Sequence, residues 1–186
     1  AADRGGFAEV FPELRDAGPV NAVETGISDP HNHGRGVVIL TFANGGHLVY
    51  KPRSVGGEVG WHGFAEWCAR HDVPVRFGAA PAWPRDGYGW MGFIEGEREL
   101  AEDAAPVFYR DVGGLLAVMH WIRGSDLHLE NVLVRDGSPV PIDLETLLQP
   151  NLRFPEPTAE ALRAESAAQF ALDASVLCVG LLPRRQ

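Results

Sequence analysis

Apolar and polar positions follow a strand pattern most clearly between residues 37 and 51. Val37-Val38-Ile39-Leu40-Thr41-Phe42 is a β-branched run, Ala43-Asn44-Gly45-Gly46 interrupts it, and His47-Leu48-Val49-Tyr50-Lys51 resumes it. Two apolar runs around Asn-Gly predict a β-hairpin. Pro52 ends the second strand, because it has no N–H to give to a ladder. Before this hairpin, residues 1–22 mix helix formers with Gly and Pro and read as a short helix or irregular lead-in. After it, Val59, Phe64, Trp67 and Cys68 recur at helical spacing within residues 57–71. Val73 to Phe77 reads as a strand, Pro81 to Gly87 as turns, and Tyr88 to Ile94 as a strand that runs into the polar linker Glu95 to Asp103.

The second half has a different rhythm. Phe108, Val112, Leu115, Leu116, Met119 and Ile122 give residues 106–122 the strongest helical period in the chain. Asp126 to Asn131 reads as a loop. Val132-Leu133-Val134 and Val140-Pro141-Ile142 flank Asp136-Gly137 and predict a second hairpin. Residues 150–157 hold three prolines and read as a loop, and the alanine-rich residues 158–179 read as a helix. The order predicts an α+β fold in two unequal lobes with a cleft between them: a β-rich N-lobe over 1–95 and a partial helical C-lobe over 96–186.

Composition narrows the classes. With 45% apolar and 22% charged residues the chain is that of a globular protein. A formal charge of −9 argues against general binding to nucleic acid or anionic membrane. No apolar run approaches the roughly 18 residues that span a bilayer, and no signal peptide opens the chain. Cys68 and Cys178 lie far apart with no CxxC or HxH neighbour, so they predict reduced thiols in a cytoplasmic protein rather than a zinc site. The first residue is Ala1, and the chain stops at Pro183-Arg184-Arg185-Gln186 just after an apolar segment, which reads as a fragment of something larger.

The candidate chemistry sits around the second hairpin. Asp126-Leu127-His128-Leu129-Glu130-Asn131 places Asp and Asn five apart, the spacing of a kinase catalytic loop. Asp143 follows the strand Val140–Ile142, where a kinase holds a second metal-binding Asp. Hard Mg²⁺ takes oxygen ligands, and a nearby carboxylate must face the acceptor hydroxyl. Asp and Asn also favour turns for local hydrogen-bonding reasons, so one Asp-Asn pair would not suffice. Asp143 behind a strand pair, with a long apolar helix before it, tips the balance to chemistry. His128 reads three ways: it orients Asp126, touches phosphate, or fills the loop. Glu145 stands where the protein-kinase pattern has Gly, either assisting the metal or solvated.

Lys51, at a strand end, reads as the lysine that grips the α/β-phosphates, rather than as a snorkelling surface charge. Glu58 and Glu66 on the following helix are its candidate partners, and we assign Glu66 to the nucleotide site with it. Arg53 either adds positive charge there or faces solvent. The loop Ser28-Asp29-Pro30-His31-Asn32-His33-Gly34-Arg35 stands where a protein kinase has its Gly-rich loop. Its two histidines carry no further zinc-site signature, so it reads as a phosphate-covering or substrate-positioning loop. Arg35 either salt-bridges or steadies a phosphate.

These stretches together resemble the dehydratase domain of class II lanthipeptide synthetases, the LanM-type enzymes. The resemblance runs in order through 28–35, 49–54 (Val-Tyr-Lys-Pro-Arg-Ser), 88–94, 108–120, 126–134, 141–148 and 175–183. It implies a lipid-kinase-like core that phosphorylates Ser and Thr of a ribosomally made precursor peptide with ATP and Mg²⁺. Phosphate is then eliminated to leave dehydroalanine or dehydrobutyrine. On this resemblance Lys51 holds ATP, Asp126 acts on the acceptor hydroxyl with His128, Asn131 and Asp143 bind magnesium, and Asp29 and His31 belong to the active loop. The family's Arg/Thr elimination region and zinc cyclase domain have no counterpart in these residues. The alternatives are a small-molecule kinase of aminoglycoside-kinase type, and an inactive fragment that only binds nucleotide or leader peptide.

Overall fold

A five-stranded antiparallel sheet organises the first part of the computed structural model, which describes residues 3–26, 35–148 and 160–182. Its strands are β1 (Val20–Glu24), β2 (Val38–Phe42), β3 (His47–Lys51), β4 (Ala82–Pro84) and β5 (Gly89–Gly92), in the spatial order β1-β2-β3-β5-β4. The chain divides into two units. Unit 1 is Ala1–Pro74 with Gly78–Gly96, and unit 2 is Val75–Phe77 with Glu97–Gln186.

In unit 1 the predicted hairpin forms, pairing Val38 with Tyr50 through Thr41 with His47. Its turn needs Gly45, whose φ is +83°, and Asn44 Oδ1 accepts the Gly46 N–H at 2.9 Å. Period-two alternation then sends Leu40, Phe42, Leu48 and Trp90 to one face. The lead-in covers that face: α1 (Phe7–Val10) and the turn after it bury Phe7, Phe11, Leu14 and Ala17 against Phe42 and Leu48. Phe7 stacks edge-on against Trp90 with centroids 4.8 Å apart. Asp3 pins the start of this segment to the sheet, accepting from Tyr88 Oη at 2.5 Å and Trp90 Nε1 at 3.0 Å. Those hydrogen bonds, with Arg85 beside them, hold its carboxyl below the usual carboxylate range.

Helix α2 (Gly56–Arg70) matches the predicted span and buries Glu58, Trp61, Ala65 and Cys68. Burial pushes the Cys68 thiol up, as befits a packed thiol. Two strands escaped the hydrophobic pattern. The first, β1, is bulged between Val20 and Ala22, so its apolar residues fall at 20, 22 and 23 and break the alternation. The second, β4, is only three residues long and ends in Pro84. Conversely, Val73 to Phe77 forms no strand. Pro74 has no N–H to donate. The segment is held by side chains instead: Arg76 Nε bonds Asp111 Oδ2 at 3.3 Å, and Val75 packs where Gly114 leaves room for it.

Unit 2 is built on α3 (Ala105–Trp121), whose buried Asp111, Leu115 and Met119 recur every four residues. Strands β6 (Val132–Arg135) and β7 (Ser138–Pro141) pair as the second hairpin. Asp136 and Gly137 have φ of +52° and +65°, the two left-handed residues of a type I′ turn. Pro139 and Pro141 are tolerated because, among the described residues, β7 pairs with β6 alone. Helix α4 (Glu160–Asp173) leads into a short 3-10 turn, Val176–Val179, ending at Gly180. The predicted loop over 150–157 lies outside the described residues.

Candidate functional site

In unit 2 the loop between α3 and β6 brings Asp126, His128 and Asn131 together. Helix α3 ends when Gly124 N–H returns to Met119 O at 2.7 Å. A side chain at 124 would meet Leu147 and the Met119 sulfur at about the closest contact distance, 3.0 and 3.1 Å. Asp126 then takes φ +63°, and the fully buried Leu127 beside it anchors the loop, its N–H donating to Val179 O at 2.9 Å. Thr146 Oγ1 donates to Ser125 O. The loop closes on itself through Asn131: its N–H donates to His128 O at 2.9 Å, and Nδ2 to Asp126 O at 2.8 Å.

That closure orients the donors. Asn131 spends its amide nitrogen on the loop, which leaves its amide oxygen as a ligand atom. Asp126 is 59% exposed in its side chain. His128 Nδ1 accepts the Glu130 N–H at 3.3 Å, a contact that assigns the proton of a neutral ring to Nε2, 3.7 Å from Asp126 Oδ1. Asn131 Nδ2 lies 3.3 Å from the same Nε2, a contact that is a hydrogen bond only in the other tautomer. Hairpin register supplies the last member: Ile142 N–H donates to Asn131 O at 2.9 Å, and Asp143 is the next residue. Among the described residues no group of three or more His, Cys, Asp and Glu side chains is placed to hold a metal ion. Asn131 and Asp143 carry hard oxygen atoms of the kind a magnesium ion takes.

In unit 1 the predicted lysine is buried, and its partner is Glu58. Lys51 Nζ lies 3.2 Å from Glu58 Oε1, and the two residues are 5% and 3% exposed. Glu66, the assigned partner, is exposed on α2. Eight residues separate the two glutamates, about 12 Å along the axis and some 80° around it. Only the first turn of α2 reaches the end of β3. Arg53 also reaches Glu58, with Nη2 2.7 Å from Oε1. Burial raises the Glu58 pKa, but the Arg53 hydrogen bond and the charges of Lys51 and Arg53 outweigh it and hold the carboxyl below its usual range. The pocket for this helix turn is tight: a side chain at Gly89, the strand partner of Lys51, would collide with Val55 at 2.3 Å.

The remaining predicted residues are placed unevenly. Asp29 and His31, with the rest of 28–34, lie outside the described residues. Arg35 is exposed, as is Glu145. Sequence reasoning gave no site role to the residues that frame this loop, Thr146, Val179 and Gly180. A glycine directly after Val176-Leu177-Cys178-Val179 is a helix-end signal, yet nothing in the sequence ties it to a loop fifty residues earlier.

Over 127 residues, 64% of this chain, the sequence is 29% identical to the lacticin 481/lactococcin biosynthesis protein LcnDR2 of Lactococcus lactis subsp. lactis. The matched stretch is 14% of that protein, so the chain spans only a small part of the relative's length. The match to the family described as a domain of unknown function, DUF4135, runs over residues 1–186. With its whole length inside that match, the chain belongs to the DUF4135 family.

Proposed function

We propose that this chain is the phosphorylating part of a lanthipeptide dehydratase: with ATP and Mg²⁺ it places phosphate on Ser and Thr of a ribosomally made precursor peptide. In this reading units 1 and 2 are the N- and C-lobes of a kinase-like core. The relative's name supplies the pathway class. The observation that carries the chemistry is the closed loop of unit 2, in which Asn131 is bonded to the Asp126 carbonyl and Asp143 follows its strand neighbour Ile142.

Asp126 takes the proton of the Ser or Thr hydroxyl as that oxygen attacks the γ-phosphorus, the bond from that phosphorus to the bridging oxygen breaks and ADP leaves; the exposure of Asp126 leaves room for a peptide side chain. His128, with Nε2–H toward Asp126, steadies the carboxylate. Lys51, held by Glu58, meets the α/β-phosphates, and Arg35 steadies them; Asp29 and His31 keep the active-loop role that the resemblance implies. Asn131 and Asp143 would hold magnesium, which supplies neutralising charge for the triphosphate. Among the described residues no helix is long and apolar enough to cross a membrane. The two free cysteines suit a reducing compartment, so we place the protein in the cytoplasm.

The test is to incubate the protein with Mg-ATP and a Ser/Thr-rich precursor peptide and follow the peptide by mass spectrometry. Gain of phosphate or loss of water is expected. Transfer only to small alcohols or amino sugars would replace this reading with that of a small-molecule kinase.

A further inference from the structure

Three charged side chains share one small buried volume in unit 1. Lys51, Arg53 and Glu58 expose 6%, 11% and 3% of their side chains. Both cations reach the same carboxylate oxygen, Glu58 Oε1: Arg53 Nη2 at 2.7 Å and Lys51 Nζ at 3.2 Å. Arg53 also holds the other oxygen, with Nη1 3.3 Å from Oε2, and that Nη1 donates to Ser54 O at 2.7 Å. The guanidinium is therefore fixed at the backbone on one side and grips the carboxylate with two nitrogens on the other. A planar fork of this kind sets the plane of a carboxylate, whereas the rotatable ammonium of Lys51, which reaches it at 3.2 Å, does not.

The local chain makes this geometry stiff. Pro52 is fully buried between the two cations and fixes its own φ, so the step from Lys51 to Arg53 has little freedom. Val55 is fully buried at the start of α2, packed where Gly89 leaves room, and this holds the first helical turn and Glu58 with it.

We propose that Arg53 is a positioning residue for nucleotide binding: it fixes the Glu58 carboxylate, and Glu58 in turn holds Lys51 ready for the phosphates. The proposal rests on the phosphotransferase reading of Lys51 and adds a member to that site. Burial works against the charge of Glu58, and the Arg53 hydrogen bond is the strongest influence in the opposite direction. Without Arg53 the carboxylate swings and is drawn toward its neutral form, and its hold on Lys51 weakens.

The experiment compares affinity for Mg-ATP with affinity for adenosine, which has no phosphates, in the wild-type protein and in Arg53→Ala, Arg53→Lys and Lys51→Ala. Arg53→Ala is expected to lower the ATP-over-adenosine ratio on the order of tenfold, the worth of one charge-assisted hydrogen bond, with adenosine affinity unchanged. Arg53→Lys keeps the charge but not the fork, and is expected to lose about threefold. A wild-type ratio in Arg53→Ala, or an equal loss for ATP and adenosine, would make Arg53 a packing residue and overturn the proposal. If Arg53→Ala does not fold, Arg53→Lys decides: a wild-type ratio overturns it. A wild-type protein that does not prefer ATP, or an unchanged ratio in Lys51→Ala, overturns the phosphate role of Lys51 itself. A low ratio in Lys51→Ala beside an unchanged one in Arg53→Ala overturns the Arg53 role alone.

Discussion

Replacing Gly180 by alanine tests whether the turn at Val176–Gly180 sets the loop of Asp126 to Asn131. Gly180 has φ +88° and closes the 3-10 turn Val176–Val179 through its N–H to Leu177 O at 3.3 Å. A left-handed backbone costs an L-residue roughly 1–2 kcal/mol. The lower entropy of the unfolded alanine chain returns part of that, ~0.4–1 kcal/mol. The new Cβ would also stand 3.2 Å from Leu127 N and 3.6 Å from Asp126 Cα. Those are backbone atoms, and they cannot rotate away. Relieving the contact moves the loop that Leu127 N–H ties to Val179 O. We expect a net loss of ~1–2 kcal/mol, a fall of about 2–8 °C in melting temperature at ~2–4 °C per kcal/mol. Turnover in the still-folded protein should fall further, by roughly tenfold, because small misplacement of a reacting group is costly. Gly113→Ala is the control of opposite sign. Gly113 is exposed in α3 with nothing within 4 Å of its would-be Cβ, so alanine should stabilise by ~0.5–1 kcal/mol. Urea melts of both variants, with phosphate transfer assayed on the same preparations, give the answer. A wild-type melt and wild-type turnover for Gly180→Ala would refute the coupling between Gly180 and Asp126.

Other expectations are simpler. Glu58→Ala removes a buried partner of two cations and should cost on the order of 3–5 kcal/mol by chemical denaturation, while Glu66→Ala on the exposed side of α2 should stay within about 0.5 kcal/mol. The folded-state pKa of Glu58 lies below its ordinary 4.5, so its contribution is complete above that pH and is lost as pH falls through the folded value. Glu58→Gln should therefore flatten the acid limb of a stability-against-pH curve, and an unchanged limb would contradict the ion-pair cause. Asp143→Ala should abolish Mg-ATP-dependent transfer and Asp126→Ala should reduce it strongly, by radiolabel or mass assay. Near-wild-type turnover in Asp143→Ala would remove the metal role from that residue.

Local physics made much of this chain legible before any tertiary structure. Asn-Gly and Asp-Gly between apolar runs signal hairpins, because each turn needs left-handed backbone, at Gly45 in the first and at Asp136 and Gly137 in the second, and both hairpins form where they are expected. The apolar period over 106–122 produces α3, since a stripe at that spacing has to be buried on one side. The spacing Asp126 to Asn131 fits a single closed loop for the same local reason, a side chain bonding its own neighbourhood. Tertiary structure decided what depends on distant partners. It bulged β1, and it turned Val73–Phe77 away from strand toward Asp111. It chose Glu58 over Glu66, because helix phase and distance from a strand end are properties of packing and not of composition. It also set Gly180 against Asp126 and Arg53 against Glu58. Residue types announce the chemistry a chain can do, but the partners that fix each group in place come from other segments, and only the fold brings them within 3 to 4 Å.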